Sequence, residues 1–136
     1  MAAKAKILIV DDEEDFRNSV RTLLESHDYE VIEAISGKDG LQKVVEHEPD
    51  LILLDIMMET FEEGYGISQA IKFQEPYKKY RNIPIIMVSS IQESPDERFS
   101  LAPSELEMIR PKYYITKPID IPSFLALIQK VLKKRI

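Results

Sequence analysis

The sequence predicts an α/β fold: a doubly wound, five-stranded parallel sheet in flavodoxin-like order 2-1-3-4-5, with helices on both faces. Three observations point there. Short apolar runs alternate with amphipathic stretches along the whole chain. The runs are continuous, as strands are when helices cover both sides of a parallel sheet. Charged or hydroxyl residues follow several runs directly, and open sheets of this kind bind ligands beyond the carboxyl ends of their strands, where strand order reverses.

Each element has its own signal. Ile7-Leu8-Ile9-Val10 reads as the first buried strand. From Glu13 to Ser26, the residues Phe16, Val20, Leu23 and Leu24 share one helical face. Residues 31–34 form the second strand, and Ser36-Gly37 offers a cap for a helix that turns Leu41, Val44 and Val45 inward. Residues 51–54 are a strongly apolar third strand that runs into Asp55. A helix follows over residues 64–74, with Ile67, Ala70 and Ile71 packed and Pro76 near its stop. Residues 83–88 and 113–116 supply the last two strands. Pro122 suits the first turn of a final helix whose apolar stripe is Phe124, Ile128, Val131 and Leu132. Right-handed crossovers join these strands.

Length and composition narrow the function. A chain of 136 residues suits one domain with a core that needs no staple, so residues 1–136 are expected to form a single unit. There is no Cys, hence no disulfide framework or thiol chemistry. Acidic residues outnumber basic ones by 24 to 18, for a net charge of −6, which argues against nucleic-acid binding by phosphate neutralisation. The basic cluster of Lys130, Lys133, Lys134 and Arg135 lies at the end of the last helix, facing its negative dipole end. The first apolar run is cut off by Asp11-Asp12, too short for a signal peptide core or a membrane span. A soluble, cytoplasmic protein is expected, with no membrane or nucleic-acid partner. His27 and His47 lie in polar stretches, are expected to be exposed, and take no catalytic or metal role.

The chemistry is expected where the strands end. Strand one ends in Asp11-Asp12, strand three in Asp55, strand four in Ser89-Ser90 and strand five in Lys117-Pro118. Order 2-1-3-4-5 makes strands one and three neighbours, which brings Asp11, Asp12 and Asp55 together beside Ser89 and Lys117. Carboxylates so placed repel one another, and must take up protons or bind a cation. Mg²⁺, a hard ion that keeps waters and accepts one or two carboxylates, is the natural solution. It would also offset charge on an incoming phosphoryl group, whose transfer needs mainly positioning and charge stabilisation. Lys117 supplies a cation, Ser89 a hydroxyl donor, and Asp55 an in-line carboxylate nucleophile. Each piece alone has a plainer reading. Asp11-Asp12-Glu13 suits a helix N-terminus, Asp55 a turn, Lys117 and the serines a solvated loop, and Tyr114 strand packing.

The set Ile7 to Glu13, Leu51 to Asp55, Ile85 to Ser90 and Thr116-Lys117-Pro118 resembles the receiver domain of two-component response regulators, over nearly the whole chain and in order. The resemblance implies that Asp55 is the phosphoacceptor and that Asp11 and Asp12 bind Mg²⁺, with the backbone carbonyl of Met57 completing the site. It implies that Ser89 is the switch hydroxyl, that Lys117 pairs with the phosphate, and that Tyr114 is the aromatic whose rotamer follows the switch. It implies a cis bond at Lys117-Pro118. The phosphodonor would be a sensor histidine kinase or a histidine phosphotransfer protein, docked near Phe16, Arg17, Pro118 and Ile119, and the output an unknown protein target. Such a protein is not a turnover enzyme.

Two stretches depart from the family pattern. Glu59 stands where Pro is usual after Met58, and Gly64 comes one residue late, so the loop after Asp55 is longer and more acidic. Residues 91–112 are longer than usual, contain Pro95, Pro103 and Pro111, and lack the usual Gly-Ala. Ser94-Pro95-Asp96-Glu97 resembles a helix start, and the later prolines would end it, so an atypical, short or displaced fourth helix is expected there. Met57 and Ile91, which stand where family members influence attack by water, are both apolar; a long-lived phospho-Asp55 follows. Two other functions are alternatives. An aspartyl-phosphate phosphatase would carry an acid two residues after its nucleophile, where this chain has Met57, and a degenerate receiver would have lost site residues that are retained here. No Gly-rich phosphate loop follows strand one, which argues against a nucleotide switch.

Overall fold

The computed structural model describes residues 3–55, 61–89 and 113–134, with the side chains of 61–65, 89 and 134 outside that description. The elements are β1 (Lys6–Val10), α1 (Glu14–Ser26), β2 (Glu30–Ala34), α2 (Gly37–His47), β3 (Leu51–Asp55), α3 (Phe61–Phe73), a 3₁₀ helix (Glu75–Tyr80), β4 (Ile85–Ser89), β5 (Tyr113–Thr116) and a C-terminal helix (Ile121–Lys134). The five strands are parallel and ordered β2-β1-β3-β4-β5, the predicted doubly wound topology. The expected fourth helix region falls outside the described residues.

The strands divide their side chains between two cores, as a period of two requires. Leu8, Val10, Ile52, Leu54 and Met87 face α2 and α3, together with Val44, Ile67 and Ile71. Ile7, Ile9, Leu51, Leu53 and Ile86 face α1 and the C-terminal helix, together with Val20, Leu24, Phe124, Ile128 and Val131. Every residue of β3 is buried, because the strand lies at the centre of the order with helices on both sides.

Local signals explain the element ends. Ser36 caps α2: its Oγ accepts the Asp39 N–H at 3.1 Å, and Asp39 Oδ2 accepts the Ile35 N–H in return at 3.1 Å. Val45 is a correction, since it is 47% exposed rather than inward. The buried face of α2 centres on Gly40 and Val44, four residues apart. At Gly40 a Cβ would come within 3.1 Å of Val10 Cγ2 and 3.2 Å of Ile67 Cδ1. The missing side chain lets α2 lie close over β1 on that face, and Val45 is rotated out of it. The third helix starts at Phe61, earlier than expected. Pro76 does not only stop it: Pro76 sits in the first turn of the 3₁₀ helix, which leads to buried Tyr80 and Ile83. Short 3₁₀ turns lack the apolar periodicity that marks longer helices, so this one left no sequence signal.

Candidate acidic site at the sheet switch point

Register brings the site together. Val10 pairs with Leu54 across β1 and β3, so Asp11 and Asp55 step off adjacent strand ends. Asp11 is 1% exposed and Asp55 5%, while Asp12 is exposed. Oxygens of Asp11, Asp12 and Asp55 all lie within 4.8 Å of one another. Lys117, just past β5, reaches across the sheet to them. Its ammonium is 2.9 Å from Asp11 Oδ2, 3.8 Å from Asp55 Oδ2 and 3.9 Å from Glu13 Oε2.

The first loop is held by its own backbone. Asp11 Oδ1 accepts the Glu13 N–H at 2.8 Å, and the Asp11 N–H donates to the Ala34 carbonyl at 3.1 Å. Arg17 on α1 donates from Nη1 to the Asp11 carbonyl at 2.8 Å and from Nε to Glu33 Oε1 at 3.0 Å. Arg21 holds the other oxygen of Glu33 at 2.7 Å. Thus β2 and α1 together fix where the acidic pair leaves β1. Sequence reading missed this network, although Glu33 was a signal: a carboxylate inside an apolar strand needs a partner. It also missed a contact of Lys117 with Phe16, whose ring centroid is 4.1 Å from the ammonium.

The remaining site expectations fall out unevenly. Ser89 is the last residue of β4, paired with Thr116, and its side chain lies outside the described residues. Met57 also lies outside them, as do Glu59 and Ile91. Tyr114 pairs with Met87 and packs, partly buried, against the core under α2 and α3. The Lys117-Pro118 bond is cis. His27 and His47 are half-buried rather than exposed, and neither joins the carboxylate group. His27 lies 3.0 Å from the Leu23 carbonyl, which draws its ring onto the end of α1.

The residues present suit a hard cation. Converging carboxylates offer oxygen ligands only, and their charge exceeds the single unit that Lys117 returns. Beside the pocket runs a groove of about 570 Å³, whose walls include Phe16, Val20, Leu23, Pro118 and Ile119. Ile121, the first residue of the C-terminal helix, also lines it. The Asp120 carbonyl accepts the Phe124 N–H at 2.9 Å, and Asp120 Oδ2 accepts the Ser123 N–H at 3.2 Å, which makes Asp120 the cap of that helix. The Ser123 hydroxyl and then its backbone N–H hold the Asp120 carboxyl below its ordinary 3.8. A depressed carboxyl pKa stabilises the fold above the unfolded value, and that contribution is lost as pH falls through the folded value. Asp120→Ala is therefore expected to lower the thermal midpoint by a few degrees at neutral pH. The gap to the parent should close in acid; thermal scans from neutral pH down to the acid limit check this.

Fold and pocket together define a doubly wound domain with a cation-attracting acidic pocket at its switch point. Residues 7–129 match the response regulator receiver domain model, and the chain belongs to that family, the receiver domains of two-component systems. It is 34% identical over 129 residues to the polar-differentiation response regulator DivK of Brucella ovis, covering 93% of this chain and 94% of DivK. It is 34% identical over 131 residues to the probable transcriptional regulator ycf27 of Porphyra purpurea, covering 96% of this chain and 49% of that protein. The chain thus spans about half the length of its ycf27 relatives. The solved structure of the chemotaxis protein CheY4 of Vibrio cholerae superposes with a TM-score of 0.75 at 27% identity, covering 96% of this chain and 99% of that one. Receiver domains are generally signalling modules rather than turnover enzymes; they bind Mg²⁺ through an acidic pocket and work with histidine kinases and downstream targets. No described helix is long and apolar enough to cross a membrane.

Proposed function

We propose that this chain is a Mg²⁺-dependent phospho-accepting switch that takes a phosphoryl group on Asp55 from a sensor histidine kinase or a histidine phosphotransfer protein. One observation carries the reading: two buried carboxylates, Asp11 and Asp55, meet Asp12 and the Lys117 ammonium at the end of the sheet. A carboxylate oxygen of Asp55 attacks the phosphorus of the donor phosphohistidine. The P–N bond breaks, its electron pair leaves with the imidazole nitrogen, and that nitrogen takes up a proton. Lys117 offsets charge on the phosphoryl oxygens. Asp11, Asp12, Asp55 and the Met57 carbonyl would hold Mg²⁺, which when bound supplies further positive charge to the same oxygens. Ser89 serves as the switch hydroxyl and Tyr114 as the aromatic that follows it.

Residues 1–136 would act as one receiver unit, in the cytoplasm, with a protein as its output target. The donor would dock along the apolar groove beside Phe16 and Pro118, whose walls also include Lys117. The deciding experiment is labelling by a small phosphodonor such as phosphoramidate. One equivalent of phosphate should be incorporated with Mg²⁺, and none with EDTA or in Asp55→Ala. Label retained in Asp55→Ala, or sustained turnover of a generic phosphoester, would defeat the proposal.

Lifetime is a separate expectation. Neither Met57 nor Ile91 can orient a water, so phospho-Asp55 should decay slowly. The double substitution Met57→Asn with Ile91→Glu should speed decay about tenfold or more, which one well-placed polar group can contribute. Loss of label within seconds from the unaltered protein, unchanged in the double variant, would show that these positions do not govern water attack.

A further inference from the structure

We propose that Phe16 is a positioning residue for Lys117: its ring face caps the lysine ammonium and holds it between the carboxylates of Asp11 and Asp55. The idea deepens the phospho-accepting reading and rests on it. Lys117 is 13% exposed, and its ammonium lies 4.1 Å from the Phe16 ring centroid, well inside the range of about 6 Å for cation–π attraction. On the other side it meets Asp11 Oδ2 at 2.9 Å and Asp55 Oδ2 at 3.8 Å.

A lysine ammonium is a compact, strongly hydrated charge on a flexible stem, so carboxylates alone do not fix it. Asp11 and Asp55, with Glu13 as a third at 3.9 Å, offer it competing positions. An aromatic face removes water from one side of the charge and replaces it with the negative face of the ring. An aliphatic side chain would exclude water equally well but lacks that field, and this difference can be tested. Phe16 has a second place in the structure, since it packs on the core under α1 and lines the apolar groove. The wall of the groove and the holder of the lysine are the same ring.

The test compares the full chain with Phe16→Leu and Phe16→Tyr, the latter keeping a π face while the open groove admits its hydroxyl. The first readout needs neither metal nor phosphodonor: NMR of the Lys117 Cε protons, which a ring this close shifts upfield. The others are the rate of phosphoramidate labelling and the Mg²⁺ affinity. Phe16→Leu should lose the upfield shift, slow labelling by about threefold to tenfold, and leave Mg²⁺ affinity within about twofold. Phe16→Tyr should restore shift and rate together. Absence of the shift in the unaltered protein overturns the proposal, as does labelling that is unaffected by Phe16→Leu or not restored by Phe16→Tyr. If Phe16→Leu fails to fold, Phe16→Met, apolar and adaptable, takes its place. Should the unaltered protein take no label at all, the phospho-accepting reading fails, and the shift alone decides whether Phe16 holds Lys117.

Discussion

Replacing Lys117 by Met is expected to cost the metal-free protein about 3 kcal/mol of stability and to slow labelling of Asp55 about a hundredfold. It should also tighten Mg²⁺ binding. The three effects share a cause and differ in sign. Asp11 is 1% exposed and Lys117 13%, so their 2.9 Å contact is a largely buried ion pair. Breaking such a pair from one side leaves a carboxylate without its counter-charge, which costs about 3–5 kcal/mol. The lower end applies because exposed Asp12 leaves one side of the site open to water. Removing a cation from an acidic pocket also removes a competitor for it, so a divalent ion binds more tightly and recovers part of the lost stability. Labelling still slows, because the charge that Lys117 brings to the phosphoryl oxygens is lost. Urea denaturation with EDTA and with Mg²⁺, calorimetric titration and a labelling time course read the three effects. Unchanged labelling would take the lysine out of the chemistry, and weaker Mg²⁺ binding would contradict the competition.

Asp12→Asn is expected to act in the opposite sense: Mg²⁺ binding about tenfold weaker or more, and a metal-free protein that is more stable. Oxygens of Asp12, Asp11 and Asp55 lie within 4.8 Å of one another. At that spacing each like-charge pair opposes folding by about 1 kcal/mol in a water-like medium, the relevant limit because Asp12 is exposed. One effect competes. A negative charge before α1 is favoured by the helix dipole, by about 0.3–1 kcal/mol. Two repulsions outweigh one dipole contact, which fixes the sign. In the unaltered protein, Mg²⁺ at a hundred times its dissociation constant should add about 2.7 kcal/mol. Thermal scans with and without Mg²⁺ give both quantities. Equal stabilisation by Mg²⁺ in Asp12→Asn would remove this carboxylate from the metal site.

The acidic pocket was legible in the sequence because strand order does the assembling. Once the runs ending at Val10 and Leu54 are read as neighbouring parallel strands, Asp11 and Asp55 must meet, and the register bears this out. Lys117 was legible for the same reason, as the residue that leaves β5. Side chains that converge from helices were harder to see. Phe16 shows helical periodicity with Val20, and that pattern says core without saying which charge the ring covers. Arg17 and Glu33 are far apart in sequence, and their pairing depends on how α1 is rotated against β2. Val45 was misplaced because its apolar character suited the stripe, while the close approach at Gly40 set the actual rotation of α2.

Asp55 ends the strand with the least room to move. β3 is buried along its length and lies between β1 and β4, with one core above it and one below. A displacement of this strand would disturb both cores and two ladders at once, so a charge gained at its tip cannot be relaxed there. The adjustment would then fall on groups beyond the strand tip. On the proposed reading, a phosphoryl group on so fixed an acceptor would turn a local chemical change into motion elsewhere, the form in which a second protein would sense it.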